Sequence, residues 1–184
     1  MTRPLVLTLA LSAALPGFAL AAGGMSTTPP TPTETTTQCA EGQVFDTETG
    51  ACVAIQQDSN AAPQFDQERA YALVRELAYA ERYADAQMIL ATMDQADDRT
   101  QTYWGFTHRK LGQSDRAMAA YYTALSANPD NLLARSYMGQ HYVEIGAMDM
   151  ARLQLTEIRA RGGRESWPEK SLAWAIETGR GESY

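Results

Sequence analysis

The sequence has little of the chemistry that metal sites and disulfide scaffolds require. Its 184 residues include two cysteines and two histidines, too few for a disulfide-rich scaffold or a four-cysteine zinc site. Basic residues are outnumbered, with 15 Lys and Arg against 22 Asp and Glu and a formal net charge of −7. We therefore expect no binding to nucleic acid or to an anionic membrane through bulk charge.

Catalytic motifs are missing as well. The chain has no Gly-rich phosphate loop, HExxH, nucleophile elbow or CxxC. Asp94, Asp97 and Asp98 lack the glycine and the closing glutamate of an EF-hand calcium loop. We therefore predict a protein that is not an enzyme and that has no catalytic residue, no metal and no cofactor. Its apolar content of 45% is nevertheless ordinary for a globular core.

Residues 1–21 have the three-part layout of a secretory signal peptide. Arg3 precedes an apolar run, and the triplet Ala19-Leu20-Ala21 offers a cleavage site. An uncleaved anchor is the less favoured alternative, because Pro16-Gly17 ends the run short of the ~20 residues that a span needs. No later apolar run is long enough to span a membrane. We expect cleavage near Ala21 and a periplasmic or secreted protein.

Residues 22–64 are predicted to form a flexible, disordered tail. This stretch carries five acidic side chains and no basic one. Residues 26–37 read STTPPTPTETTT, which favours extended conformers and offers no apolar area to bury. The tail is therefore interpreted as a spacer in front of a folded part at 65–184.

Two cysteines lie within this tail. We expect Cys39 and Cys52 to form a disulfide, because the exported compartment is oxidising. The turn signal at 46–50 is compatible with a small hairpin, and closing a loop of this size is worth roughly 3 kcal/mol. The pattern C-x-x-G-x-x-F…C resembles short cysteine loops of secreted proteins, some of which bind carbohydrate. A local covalent staple is favoured over a ligand site.

The folded part contains an internal repeat. Residues of matching size recur 34 positions apart, and each unit places a ring, a glycine, an alanine and a large apolar residue at the same offsets: Trp104, Gly105, His108, Gly112, Ala117, Tyr121 and Met138, Gly139, Tyr142, Gly146, Ala151, Leu155. The spacing resembles the tetratricopeptide repeat, a 34-residue helix-turn-helix. Pro129 lies where that family has its closing proline. Small residues at Gly105 and Ala117 are expected to let paired helices approach closely.

A more degenerate unit precedes these two, since Ala86 and Ala117 are only 31 residues apart. After the third unit, Ser166 and Glu169 predict the start of a further helix, and Gly179 predicts its end. The predicted fold is all-α: a short right-handed solenoid of about three helix pairs (65–97, 98–131 and 132–163) with a capping helix at about 166–178. Trp167 and Trp174 are expected to help cover the last pair.

The resemblance implies a concave groove lined by the first helix of each pair. Carried onto this chain, the candidate groove residues are Tyr71, Arg75, Arg99, Thr102, Phe106, Arg109, Lys110, Ser136 and Gln140. Cations and rings on one face of an acidic protein suit an extended acidic or aromatic peptide. An ordinary solvated face is the alternative.

Two hypotheses on function follow. The first is a non-enzymatic adaptor or scaffold of the bacterial cell envelope that binds a protein or peptide in the groove. The second is a cell-wall polysaccharide-binding protein that uses the cystine loop, with the repeats as spacer. The sequence identifies neither the partner nor the oligomeric state.

Overall fold

The computed structural model describes residues 30–56 and 64–181. The predicted signal peptide at 1–21 lies outside the described residues. The elements run, in chain order, α1 (Glu34–Thr37), β1 (Gln43–Asp46), β2 (Ala51–Ala54), α2 (Gln67–Tyr79), α3 (Tyr83–Leu90), α4 (Asp98–Lys110), α5 (Ser114–Ala127), α6 (Leu132–Glu144), α7 (Met148–Ala160) and α8 (Trp167–Thr178).

The fold is mostly helical, as the sequence predicts, with one small addition. β1 and β2 form an antiparallel two-stranded sheet in which Phe45 lies opposite Cys52. The helices from α2 to α7 fall into three pairs whose limits agree with the expected units. Within the described residues, no helix combines the length and the apolar character that crossing a membrane requires.

The same turn ends the first helix of each pair. After α4, the amide of Gly112 donates to Arg109 O and that of Gln113 donates to His108 O. After α6, Gly146 and Ala147 make the equivalent two bonds. Gly112 and Gly146 have φ of +72° and +76°, the left-handed conformation that this Schellman turn needs.

The first pair makes this turn without a glycine. Glu81 occupies the left-handed position with φ of +60°, and the amide of Arg82 donates to Leu77 O. A side chain in this conformation costs roughly 1–2 kcal/mol. The equivalence of Glu81 with Gly112 accounts for the offset of 31 residues, since the first pair differs in the length of its second helix. α3 has 8 residues, whereas α5 has 14.

The helices pack in a serial pattern. Each first helix contacts its own second helix, and each second helix contacts the next first helix. α2, α4, α6 and α8 also contact one another in that order. The side of the molecule formed by these four helices is called the first-helix face below.

The repeated small residues are buried but do not meet equivalent neighbours. Ala117 and Ala151 are fully buried. A Cβ added at Gly105 would lie 2.3 Å from the ring of Tyr121, on the partner helix α5. A Cβ at Gly139 would lie 2.6 Å from Leu172, on α8. Both glycines therefore allow a neighbouring helix to approach closely, as expected for small residues. The neighbour is α5 at Gly105 and α8 at Gly139.

The described part of the predicted tail is folded, which differs from the expectation of a disordered spacer. Thr33–Ile55, called the cystine segment below, contains α1, β1 and β2, and the disulfide between Cys39 and Cys52 is present. Val44 is fully buried and belongs to the same hydrophobic core as the helices. The composition of residues 26–37 did not indicate this packing, because the apolar residues that dock the segment, Val44 and Ile55, lie beyond it.

At the other end, α8 begins and ends where the sequence predicts. The side chain of Ser166 accepts a hydrogen bond from the amide of Glu169, and Gly179 ends the helix with φ of +71°. Leu172 and Ala175 are fully buried. Trp174 is 43% exposed, so this ring is not a main part of the cover, contrary to expectation.

Candidate interaction surface

The first-helix face is built on a row of aromatic rings from three successive helices. Tyr71 of α2 meets Tyr103 of α4 edge-on at 5.6 Å between ring centroids. Tyr79 stacks on Phe106 at 6.4 Å, and Phe106 lies 4.8 Å from Tyr137 of α6. Such ring pairs add roughly 0.5–1.5 kcal/mol each beyond the area they bury. The row therefore fixes the relative positions of α2, α4 and α6.

Cationic side chains lie over this row. The guanidinium of Arg99 is 4.8 Å from the ring centroid of Tyr71, and that of Arg75 is 5.7 Å from Tyr79. The ammonium of Lys110 is 5.7 Å from the centroid of Phe106. Cations are attracted to aromatic faces at these distances. The surface thus has an aromatic floor and a positive outer layer.

Arg99 is held in place by acidic neighbours. Its guanidinium donates to both carboxylate oxygens of Glu68, at 3.2 and 2.8 Å, and forms an ion pair with Asp97. The bond to Glu68 raises the pKa of Arg99 above its ordinary value. Two acids therefore offset the charge of this cation, which makes it a weak attractor of an anionic partner.

Arg109 lies inside the protein. Its side chain is 1% exposed, and it donates to Glu144 at 2.9 Å and to Gln140 at 3.3 Å. Gln140 in turn donates to Ser171 of α8 at 2.7 Å. His141 lies beside this network, and burial lowers its pKa although Glu144 is near. The network joins α4, α6 and α8.

The structure therefore divides the predicted groove residues into two groups. Five are buried, which does not fit their prediction as the lining of an open groove: Thr102, Phe106, Arg109, Ser136 and Gln140. Arg109 bonds to Glu144, Gln140 bonds to Ser171 of α8, and Phe106 packs between the rings of Tyr79 and Tyr137. Four are partly exposed on α2 and α4: Tyr71, Arg75, Arg99 and Lys110.

The cystine segment is held by the first helix pair. The side chain of Arg82 is 14% exposed and donates to four carbonyl oxygens of the segment: Thr35 at 2.7 Å, Cys39 at 3.3 Å, Ala40 at 2.8 Å and Gln43 at 2.9 Å. Its Nε also donates to Asp85 at 2.7 Å, and Asp85 accepts from the amide of Gly42. The Cys39–Cys52 disulfide thus lies in a segment that is bound to the first helix pair.

The opposite face of α4 borders a depression of about 350 Å³. Gln101, Trp104 and His108 of α4 form one wall and Gln95 of the preceding loop forms a second, while α5 contributes Arg116, Ala119, Ala120 and Thr123. The sequence analysis assigns His108 to the ring position of its unit and does not predict the depression. The depression depends on the packing of α4 against α5 and of the loop carrying Gln95, which no local sequence pattern indicates.

Among the residues that the structure describes, no three His, Cys, Asp or Glu side chains are grouped so as to hold a metal ion. His108 bonds instead to Gln113 at 2.7 Å and stacks on Trp104.

Comparison with known proteins gives no relative: no family model, no curated protein and no solved structure matches the chain.

Proposed function

We propose that this protein is a non-enzymatic adaptor, a short solenoid of three tetratricopeptide-like helix pairs whose first-helix face binds an acidic segment of a partner protein. The observation that carries the proposal is the recurrence of one local structure. In each of three helix pairs, the same Schellman turn connects the first helix to the second. The residue before each second helix has nearly the same backbone φ and ψ angles: Arg82, Gln113 and Ala147.

The serial contacts of α2, α4, α6 and α8 support the solenoid arrangement. In helical repeats of this kind, the stacked first helices form an extended binding surface. The partner chemistry follows from the partly exposed cations, Arg75 and Lys110, which lie over the rings of Tyr79 and Phe106. Carboxylates bind such cations through charge-assisted hydrogen bonds.

The disulfide supports placing the adaptor in an oxidising compartment of the cell envelope, since disulfides persist there and are rare in the cytosol. A leader at 1–21 accords with this proposal. The polysaccharide-binding alternative gains nothing from the hairpin, whose exposed tip at 47–50 carries no aromatic ring.

A photo-crosslinking experiment tests the proposal. Benzoylphenylalanine in place of Tyr71 is expected to capture a partner in the source cells, and the double variant Arg75→Glu/Lys110→Glu is expected to abolish that capture. Arg109 is left unchanged because reversing a buried charge would unfold the chain. The matched control, Arg152→Glu/Arg180→Glu, reverses two charges at exposed positions outside the aromatic row. Capture that survives the first double variant, with helical circular dichroism intact, would refute the assignment.

A further inference from the structure

The depression between α4 and α5 is separate from the first-helix face. Trp104 and His108 are four residues apart and share one side of α4, whereas Phe106 points to the aromatic row on the other side. The depression is lined by residues of α4, of α5 and of the loop that follows α3. A ligand there would leave the first-helix face accessible.

The wall of the depression is fixed before any ligand binds. The indole Nε1 of Trp104 donates to Gln95 Oε1 at 3.0 Å, and its ring lies 5.3 Å from that of His108 at an interplanar angle of 19°. Gln101 Nε2 donates to the carbonyl of Gln95 at 2.8 Å. Preorganised side chains reduce the entropy lost when a ligand binds.

Several hydrogen-bonding side chains of the depression are already engaged within the protein: Gln101 donates to Gln95 O, Thr123 donates to Ala119 O, and His108 bonds to Gln113. The amide of Gln95 is occupied at both atoms, since its Nε2 donates to Leu90 O and Met93 O. Ala119 and Ala120 add two methyl groups to the lining. An indole edge and two methyl groups suit an apolar group better than a polyhydroxylated ring.

Arg116 is an exposed cation at the rim of the depression. Within the part of the chain that the structure describes, its guanidinium makes neither a hydrogen bond nor an ion pair. The residues lining the depression include no Asp or Glu. Arg116 lies in the first turn of α5 beside Asp115, which is not among the lining residues.

We propose that this depression binds a peptide segment of a partner that inserts one aromatic side chain beside Trp104 and pairs an adjacent carboxylate with Arg116. The aromatic ring packs against the indole of Trp104 and the methyl groups of Ala119 and Ala120, and the carboxylate supplies the complementary charge. This site is independent of the proposed first-helix face, because the two lie on opposite sides of α4.

Titration of the full chain with N-acetyl-Phe-Asp-amide, followed by ¹H–¹⁵N NMR, tests the proposal. The Trp104 indole and the Arg116 resonances are expected to shift, whereas those of Trp167 and Trp174 stay. The neutral peptide N-acetyl-Phe-Asn-amide is expected to bind about tenfold more weakly, since a charge-assisted bond contributes on the order of 1.5 kcal/mol. Arg116→Gln is expected to abolish this difference between the two peptides.

Filling the depression provides a second variant. Ala119 is exposed on α5, and leucine has nearly the helix propensity of alanine, so Ala119→Leu is expected to fold normally and lose binding. Ala127→Leu, at another exposed position of α5, is the control and is expected to bind as wild type. Equal affinity for the Asp and Asn peptides, or unchanged binding by Ala119→Leu, would overturn the proposal. Phenylacetate binding as tightly as the peptide would overturn its assignment to a peptide.

Discussion

The first helix pair and the two later pairs reach the same arrangement by different means. α4 with α5 and α6 with α7 are pairs of helices of 13 or 14 residues joined through a glycine. The first pair has a second helix of 8 residues and a glutamate at the left-handed position. The first helix pair therefore has the same turn with a shorter second helix and no glycine, and another part of the chain contacts it.

The cystine segment supplies those contacts, and many of them are polar. Arg82 bonds to its carbonyl groups, and Glu76 accepts bonds from the amide of Thr33 at 3.2 Å and the hydroxyl of Thr36 at 3.0 Å. The last pair is covered instead by α8, whose Leu172 and Ala175 are fully buried. The first pair is thus covered by the apolar residues Val44 and Ile55 together with hydrogen bonds to backbone, and the last pair by apolar residues of α8 together with a bond from Gln140 to Ser171.

The largest expected effect comes from removing the charge that holds the segment. Arg82→Met leaves Asp85 buried without its partner and four carbonyl groups without their donor. We expect a loss of about 4 kcal/mol in the free energy of unfolding, the range found when one member of a buried pair is removed. Urea denaturation measures it, with Arg152→Met as the exposed control. A loss below 1 kcal/mol would mean that the first pair does not depend on the segment.

Removing the disulfide tests the covalent part of the same attachment. The bridge joins residues 13 apart in sequence, and a loop of this size is worth about 3 kcal/mol in the chain-entropy model. Cys39→Ser/Cys52→Ser is therefore expected to lower the free energy of unfolding by about 3 kcal/mol. Calorimetry of the double variant and of the oxidised wild type checks this. Equal stability of the two proteins would contradict the prediction.

Alanine substitutions at Gly105 and Gly139 are expected to lower the free energy of unfolding by different amounts in the middle pair and in the last pair. Gly105→Ala would bring a Cβ against the rigid, fully buried ring of Tyr121, at a cost of about 2 kcal/mol from overpacking. Gly139→Ala meets the terminal methyl groups of Leu172, which can move, so about 1 kcal/mol is expected. Chemical denaturation of both variants gives the order, and a larger loss at Gly139 would be inconsistent with the structure.

The smallest expected effect is an increase in stability. Glu81→Gly gives the first pair the residue that the later pairs have and is expected to stabilise the protein by about 1 kcal/mol. Gly112→Ala, in the equivalent turn, is the converse change and is expected to destabilise by a similar amount. Thermal melts of the two variants provide the comparison. A Glu81→Gly protein less stable than wild type would show that the two turns are not equivalent.

The later pairs were predictable from sequence because their signals are local. Gly112, Gly146 and Pro129 mark helix ends by backbone conformation alone, and α5 and α6 lie on either side of Pro129 as expected. Side-chain partners that are distant in sequence were not predictable from such local signals. Arg109 reads as a surface cation of α4, but its burial depends on Glu144 and Gln140, more than 30 residues away.

The cystine segment shows the same limit. The pairing of Cys39 with Cys52 followed from the compartment expected for the chain, and the structure confirms it. That the segment docks on α2 and α3 depends on Arg82 and Val44 meeting complementary groups from distant positions. The low-complexity stretch at 26–37, which overlaps the start of the segment, suggested a flexible tail, and the turn signal at 46–50 indicated a hairpin but not its docking on the helices.

Hydrogen exchange in the unmodified protein tests most directly whether the cystine segment is part of the first helix pair. The amide of Gly42 donates to Asp85 at 2.9 Å, and that of Phe45 donates to Thr35 at 3.0 Å. We predict that both exchange as slowly as the central amides of α2, while the exposed turn at 47–49 exchanges rapidly. Exchange of Gly42 and Phe45 at the rate of an unstructured peptide would contradict the account.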